Sequence, residues 1–287
     1  MNMEEGAQPL KGKVAIVTGA SRGIGSAIAR RLSAEGAAVA LVARTVAPGG
    51  QLAGSLEEVA AAIRTSGGTC CIIQANLANP VDRSGIVAEC VATLGGLDIL
   101  VNNAAWSRFV PIWEVSARHV ELAMQMNLYA PLDLSQAALP HMEARGAGWI
   151  LNISSATADL PPSAPWDLND RKIQFNLHGH PTLYGTSKAA LDRMTAGWAI
   201  ELADRNIAAN VLAPVGAVAS EGALSVGGWD ERDHIEPVEA MAEAAFQLCH
   251  RPANELSGRI ARSLPLLEEL GVHYRGLDGQ AIEPMLM

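Results

Sequence analysis

The apolar run Val14-Ala15-Ile16-Val17 leads directly into Thr18-Gly19-Ala20-Ser21-Arg22-Gly23-Ile24-Gly25. A short buried strand, a turn with three glycines and a helix start, in that order, predict a βαβ unit and hence a parallel sheet. Gly19 permits a tight turn, and Gly23 and Gly25 let backbone and helix come close to whatever lies above them. The N–H groups and positive dipole end of the helix then face an anion, and a pyrophosphate suits that geometry. Glycines alone would equally serve an ordinary strand-to-helix turn, so the rest of the chain must decide.

An NAD site would place an acidic residue at the end of the second strand, roughly 20 residues on, to bind the ribose. That strand reads Ala37-Ala38-Val39-Ala40-Leu41-Val42 and runs into Ala43-Arg44. A guanidinium stands where the carboxylate would be. It can pair with a 2′-phosphate, which an acid would repel, and Arg22 offers a second cation on the same side. Either arginine singly could be a solvated surface charge. The two together favour NADP(H) over NAD(H).

With 287 residues, 49% of them hydrophobic, the chain can bury one substantial α/β core. A net charge of −9 with no basic run argues against nucleic acid or an anionic membrane as partner. Residues 1–9 read as a flexible polar tail without an apolar leader core, and 10–287 as a single dinucleotide-binding domain. No apolar stretch approaches the roughly 20 residues of a membrane span. Cys70, Cys71, Cys90 and Cys249 show no metal-ligand spacing, which suits a reduced, cytoplasmic protein; Cys70 and Cys71 read as buried strand residues.

Strands alternate with helices along nearly the whole length, as a doubly wound sheet requires. After a Gly- and Pro-rich loop at 45–54, Ser55-Leu56-Glu57-Glu58 opens a helix with a capping-box pattern. Further strands are expected at 70–75, 97–101, 149–153, 208–212 and 258–263. Helices are expected at 81–94, 116–144, 183–205 and 238–250.

Tyr184 and Lys188 lie four apart on one helix and so share a face. An ammonium beside a phenol favours the phenolate, which predicts that Lys188 draws Tyr184 down toward working pH as a general acid or base. That spacing is common on solvated helices, so its value depends on its neighbours. Asn152-Ile153-Ser154-Ser155 and Asn102-Asn103-Ala104-Ala105 close two strands at the carboxyl edge, where open α/β sheets bind ligands. Polar turns would read the same way.

Together, Thr-Gly-x-x-x-Gly-x-Gly at 18–25, Asn-Asn-Ala at 102–104, Ser-Ser at 154–155 and Tyr-x-x-x-Lys at 184–188 resemble the short-chain dehydrogenase/reductase family. The resemblance covers about residues 10–263. The loop at 44–54 and the stretch at 258–271 resemble the branch that includes hydroxysteroid dehydrogenase-like protein 2. The family implies an α/β, Rossmann-type doubly wound parallel sheet of about seven strands with helices on both faces. It implies an oxidoreductase interconverting a ketone or aldehyde and an alcohol, and a homodimer or homotetramer.

By the same resemblance Tyr184 gives the proton in reduction and takes it in oxidation. Lys188 supports Tyr184 and holds the nicotinamide ribose. Ser155, the second of its pair, bonds the carbonyl oxygen, and Asn127 anchors a relay water. Cofactor contacts are implied for Gly19, Ser21, Arg22, Gly23, Ile24 and Gly25, then for Arg44, Asn76 and Leu77. Asn103, Ala104, Pro214 and Val218 complete that set beside Tyr184 and Lys188. Pro131 lacks an N–H and so frees the Asn127 carbonyl for a water, or else merely kinks a long helix.

The chain departs from the family at Asn76, where an Asp is frequent, at Ala105 in place of Gly, and at Pro214-Val215 in place of Pro-Gly. A larger departure separates Ser155 from Tyr184, with 28 residues where relatives commonly have far fewer. This insert, 156–183, holds Pro161, Pro162, Pro165, Trp166, His178, His180 and Pro181, and it reads as a loop that begins and ends at the pocket. Residues 264–287 form a C-terminal extension. His178 and His180 find no third ligand, so no metal is expected. Trp106, Phe109, Trp166 and Trp229 hint at a bulky apolar substrate, though each could be core. A non-catalytic NADP-binding regulatory or scaffold protein is the alternative, and an epimerase-like relative is disfavoured by the short C-terminal segment.

Overall fold

A computed structural model describes residues 8–50, 52–218 and 235–282. Trp229 lies outside the described residues, as do residues 1–7 of the expected tail. The main sheet comprises β1 (Val14–Thr18), β2 (Ala38–Ala43), β3 (Cys70–Gln74), β4 (Ile99–Asn102), β5 (Gly148–Ile153), β6 (Ile207–Ala213) and a last strand, β9 (Ile260–Arg262). All seven are parallel, in the order β3-β2-β1-β4-β5-β6-β9. A second pair, β7 (Ala217–Val218) and β8 (Ile235–Glu236), escaped the sequence pattern because each is only two residues long.

β1, β4, β5 and β6 are buried at every residue, so they read as continuous apolar runs, as parallel strands covered on both faces do. Alternate side chains enter two cores. Ala15 and Val17 pack with Ile28 and Leu32 of α1 (Gly23–Ala34) and with Phe246 of α9 (Val238–Leu248). Val14 and Ile16 pack on the other face with Ile86, Cys90 and Leu134. β3 is a sheet edge, which leaves Cys70 and Cys71 half-buried rather than buried.

Ser55 caps α2 (Leu56–Thr65) as the capping box predicts, accepting the Glu58 N–H and donating to the Glu58 carboxylate at 2.8 Å. The helix expected at 81–94 is two: α3 (Pro80–Ser84) and α4 (Ile86–Leu94), divided at Gly85. It also begins earlier, because Asn79 caps it and Pro80 suits a first helical position. The helix expected at 116–144 divides into α5 (Ala117–Met124), a π turn at Gln125–Tyr129 and α6 (Ala130–Ala144). Pro131 causes the break: it cannot donate to Asn127, and the Ala130 N–H reaches back five residues to Gln125.

The insert is not all loop, since α7 (Arg171–Gly179) lies within it, capped by Asp170. α8 (Thr182–Glu201) ends four residues before the expected limit, the chain closing in a 3-10 turn before a left-handed Asn206. At the amino edge of the sheet, Asp98, 0% exposed, accepts from Lys13, Arg145 and the Val14 N–H. The carboxyl edge is left for function, and the sheet order reverses there between β1 and β4.

Candidate active site

At that reversal the chain brings backbone against backbone. Gly19 and Gly23 adopt φ of +66° and +55°, where a side chain would be strained. A Cβ on Gly25 would lie 2.3 Å from the Gly19 carbonyl oxygen, so only glycine lets α1 start so close to the strand. The N-cap residue of α1, Arg22, makes no side-chain capping bond to the helix start. Thr18 and Asn103 stitch β1 to β4. The Thr18 hydroxyl donates to the Val101 carbonyl and accepts the Asn103 and Ala104 N–H groups, and Asn103 Nδ2 donates to the Thr18 and Gly19 carbonyls. These residues fit a dinucleotide pyrophosphate: a cradle without Cβ atoms at the mouth of a helix.

Arg44 follows β2 directly and is exposed. Arg22 is not its free companion. Its guanidinium donates to the Ala53 and Gly54 carbonyls at 2.7 Å each and to the Leu52 carbonyl, so it pins the 52–54 loop over the glycine turn. Ser21 is buried beneath that loop, and a Cβ on Gly54 would meet the Ser21 oxygen at 2.6 Å. Asn76 and Leu77 lie past β3, held by α3: the Asn76 N–H donates to Asp82, and the Leu77 carbonyl accepts from Arg83.

A cleft of about 240 Å³ opens beside the cradle, bounded by Ile24, Asn103, Ser155, Tyr184, Lys188 and Pro214, with Val218 also on its wall. Ser155 and Tyr184 both line it, and the serine hydroxyl favours the phenolate form of the tyrosine. Lys188 is buried and its Nζ donates to the Ile153 carbonyl at 2.7 Å. Burial pushes the lysine down to about 8, against the opposing pull of Asp192. Burial likewise pushes the Tyr184 phenol up to about 12, eased by the bond from Ser155. The expectation that Lys188 lowers Tyr184 is therefore corrected. Its ammonium is aimed at the β5 carbonyl, 5.8 Å from the tyrosine ring centre, and burial dominates the state of the phenol. Ser154 also borders the cleft, but it is buried beside Asp192.

Asn127 sits in the π turn, buried. Its side-chain oxygen accepts the Trp106 N–H, and its Nδ2 donates to the Trp106 carbonyl and to Ser187 Oγ, each at 2.9 Å. One amide thus ties the β4–α5 loop to α8, while its main-chain carbonyl lacks a donor at Pro131. The insert closes the outer side of the site. Phe109 lies 5.9 Å from the Tyr184 ring and 6.0 Å from Phe175 of α7, and Trp113 meets His180 at 5.9 Å. Asp159 pairs with Arg262 at 2.5 Å, anchoring the start of the insert. Trp166 is exposed, its indole N–H donating to the Pro162 carbonyl.

A phenol, a hydroxyl and an ammonium converge on one edge of a glycine cradle. The family model for short chain dehydrogenases matches residues 13–165. The chain belongs to the short-chain dehydrogenases. It is 36% identical over 220 residues to an uncharacterized oxidoreductase of Methylorubrum extorquens, covering 76% of this chain and 78% of that protein. It is 30% identical over 277 residues to hydroxysteroid dehydrogenase-like protein 2 of Danio rerio, covering 96% of this chain but 62% of that protein, so it spans about six tenths of that relative's length. A short-chain dehydrogenase from Burkholderia cenocepacia, solved in complex with NADP, superposes with a TM-score of 0.72 at 30% identity, covering 88% of this chain and 97% of that one.

As a short-chain dehydrogenase the protein is an oxidoreductase that uses a nicotinamide cofactor. Among the described residues no helix is long and apolar enough to cross a membrane, and none of their acidic, histidine and cysteine side chains group as a metal site. Sequence reasoning missed Thr18, Gly54, Phe175 and Gly185. Thr18 and Gly185 were visible inside the motifs themselves, as a hydroxyl at a strand end and a small residue beside the tyrosine. Gly54 and Phe175 declare themselves only through contacts distant in sequence.

Proposed function

We propose that the chain is an NADP(H)-dependent oxidoreductase interconverting a bulky, apolar ketone or aldehyde and its alcohol. The observation that carries this is the Ser155–Tyr184 pair set beside buried Lys188 at the rim of the glycine cradle. Gly19, Gly23 and Gly25 would hold the pyrophosphate, and Arg44 the 2′-phosphate; Asn103, Ala104, Pro214 and Val218 would border the nicotinamide. The bound cofactor supplies the hydride.

The protein's own groups handle the proton. A phenol held near 12 is neutral at physiological pH and keeps its proton until a stronger base, such as a developing alkoxide, appears beside it. Ser155 donates to the same oxygen, and Lys188 holds positive charge below the phenol. In oxidation the phenol first releases its proton to solvent through the water that Asn127 anchors, and the phenolate so formed takes the proton of the alcohol. Phe109 and Phe175 form an apolar wall at the mouth, supporting a bulky substrate. NADP is supported by Arg44, by the lack of a carboxylate after β2, and by the NADP-bound Burkholderia relative. The insert acts as a lid, and the protein works as a cytoplasmic homodimer or homotetramer.

The test is a screen of steroid, lipid-derived and aromatic carbonyl compounds, following NADPH absorbance, with Tyr184→Phe as control. Tyr184→Phe should abolish turnover while cofactor affinity stays within about twofold, since the phenol serves the substrate proton. A Tyr184→Phe protein of near-normal rate, or a wild type that binds cofactor and turns over no carbonyl, refutes the assignment.

A further inference from the structure

We propose that Thr157 is a positioning residue that directs the Ser155 hydroxyl proton toward the reacting oxygen. The inference rests on the roles given above to Ser155 and Tyr184. A serine hydroxyl has one proton to donate and two lone pairs with which to accept. Thr157 engages both lone pairs: its N–H donates to Ser155 Oγ at 3.2 Å and its hydroxyl donates to the same atom at 3.0 Å. What remains to Ser155 is its own O–H, and it shares the cleft wall with Tyr184, whose phenolate form it favours. The proton is thereby aimed at the point where a substrate carbonyl oxygen would meet the phenol. Without the threonine hydroxyl, one lone pair is vacant and the Ser155 rotor can turn its proton elsewhere.

Thr157 is itself seated on the helix that carries the tyrosine. Gly185 follows Tyr184 in α8, and a Cβ built there would lie 2.3 Å from the Thr157 carbonyl oxygen. The 3-10 turn Ala156–Ala158 therefore rests directly on α8. Ser155 and Tyr184 are held in register by this one close contact as well as through the sheet.

Thr157→Val deletes the hydroxyl and keeps the branched shape, whereas Thr157→Ser keeps the hydroxyl. With NADPH and 1-phenyl-1,2-propanedione as probe, Thr157→Val should lower kcat about fivefold to tenfold, as the loss of one hydrogen bond does. It should raise the apparent pKa of the kcat profile and leave the Kd for NADPH unchanged; Thr157→Ser should restore both. In a Ser155→Ala background, Thr157→Val should add nothing, because Thr157 acts only through that oxygen. A full second loss there overturns the proposal and leaves the roles of Ser155 and Tyr184 standing. A Ser155→Ala enzyme of wild-type rate overturns those roles and the proposal with them. Crystal structures read the same point without turnover: Ser155 Oγ should take more than one rotamer in Thr157→Val, and a single rotamer identical to the wild type is the overturning result.

Discussion

Arg44 and Arg22 look equivalent in the sequence, both cations near a phosphate cradle, yet they have different tasks. Arg22 donates to three loop carbonyls, while Arg44 stands exposed at the end of β2. Arg44→Asp removes a charge-assisted partner and adds a repelling one. NADP(H) affinity should fall by about tenfold to a hundredfold, the loss of roughly 1.5–3 kcal/mol, with NAD(H) affinity little altered. Calorimetric titration of both cofactors checks this, and equal affinity of the wild type for the two would sink the NADP assignment. The choice of Ser155 over Ser154 was legible only through family resemblance. The structure supplies a physical difference: Ser154 is buried beside Asp192, while Ser155 is more open in the cleft and acts on the phenol. The state of Tyr184 was not legible, because spacing shows which charges are near but not how dry they are.

Among the elements, strands and glycine turns were read well, since a buried parallel strand is a continuous apolar run and positive φ leaves its mark as glycine. Helix boundaries were read less well wherever a local backbone rule opposed the apolar period. Gly85 divides one helix and Pro131 converts five residues, Gln125–Tyr129, into a π turn, although the apolar pattern continues through both. The insert shows the same limit. Its prolines suggested loop throughout, while α7 depends on its Asp170 cap and on packing of Phe175 against Phe109. That packing brings α7 near Tyr184 through Phe109, which supports the proposal of a lid that excludes water. Replacing the insert with a short connection that keeps Ala156–Asp159 and Thr182 should raise the substrate KM or widen the range of carbonyls accepted. NADP(H) affinity should hardly change, since the cradle lies on other elements. Steady-state kinetics of such a variant at wild-type values would make the insert a bystander.

On the scale of the whole molecule, apolar surface remains after both cores are filled. Ile200 is 80% exposed, and it continues a stripe of α8 through Ala190, Met194 and Gly197, which are half-buried. Val120 of α5 and Tyr129 of the π turn are also exposed. Single exposed apolar residues are ordinary, but a stripe along a long helix that also holds Tyr184 and Lys188 suits contact with a second copy. Sedimentation velocity at micromolar concentration should show a dimer or tetramer, and Ile200→Glu should shift it toward monomer; a monomeric wild type contradicts the assignment. Phe109 touches both Tyr184, the proposed proton donor, and the insert, so the ring would be a hinge between chemistry and selection. A large guest that keeps this ring in place, or substitutes its own carbon for it, leaves the phenol shielded. A small guest fills the cleft with solvent as well as itself, and a shielded proton becomes a hydrated one. Substrate size would then be judged less by how tightly a molecule is held than by how much water it leaves behind.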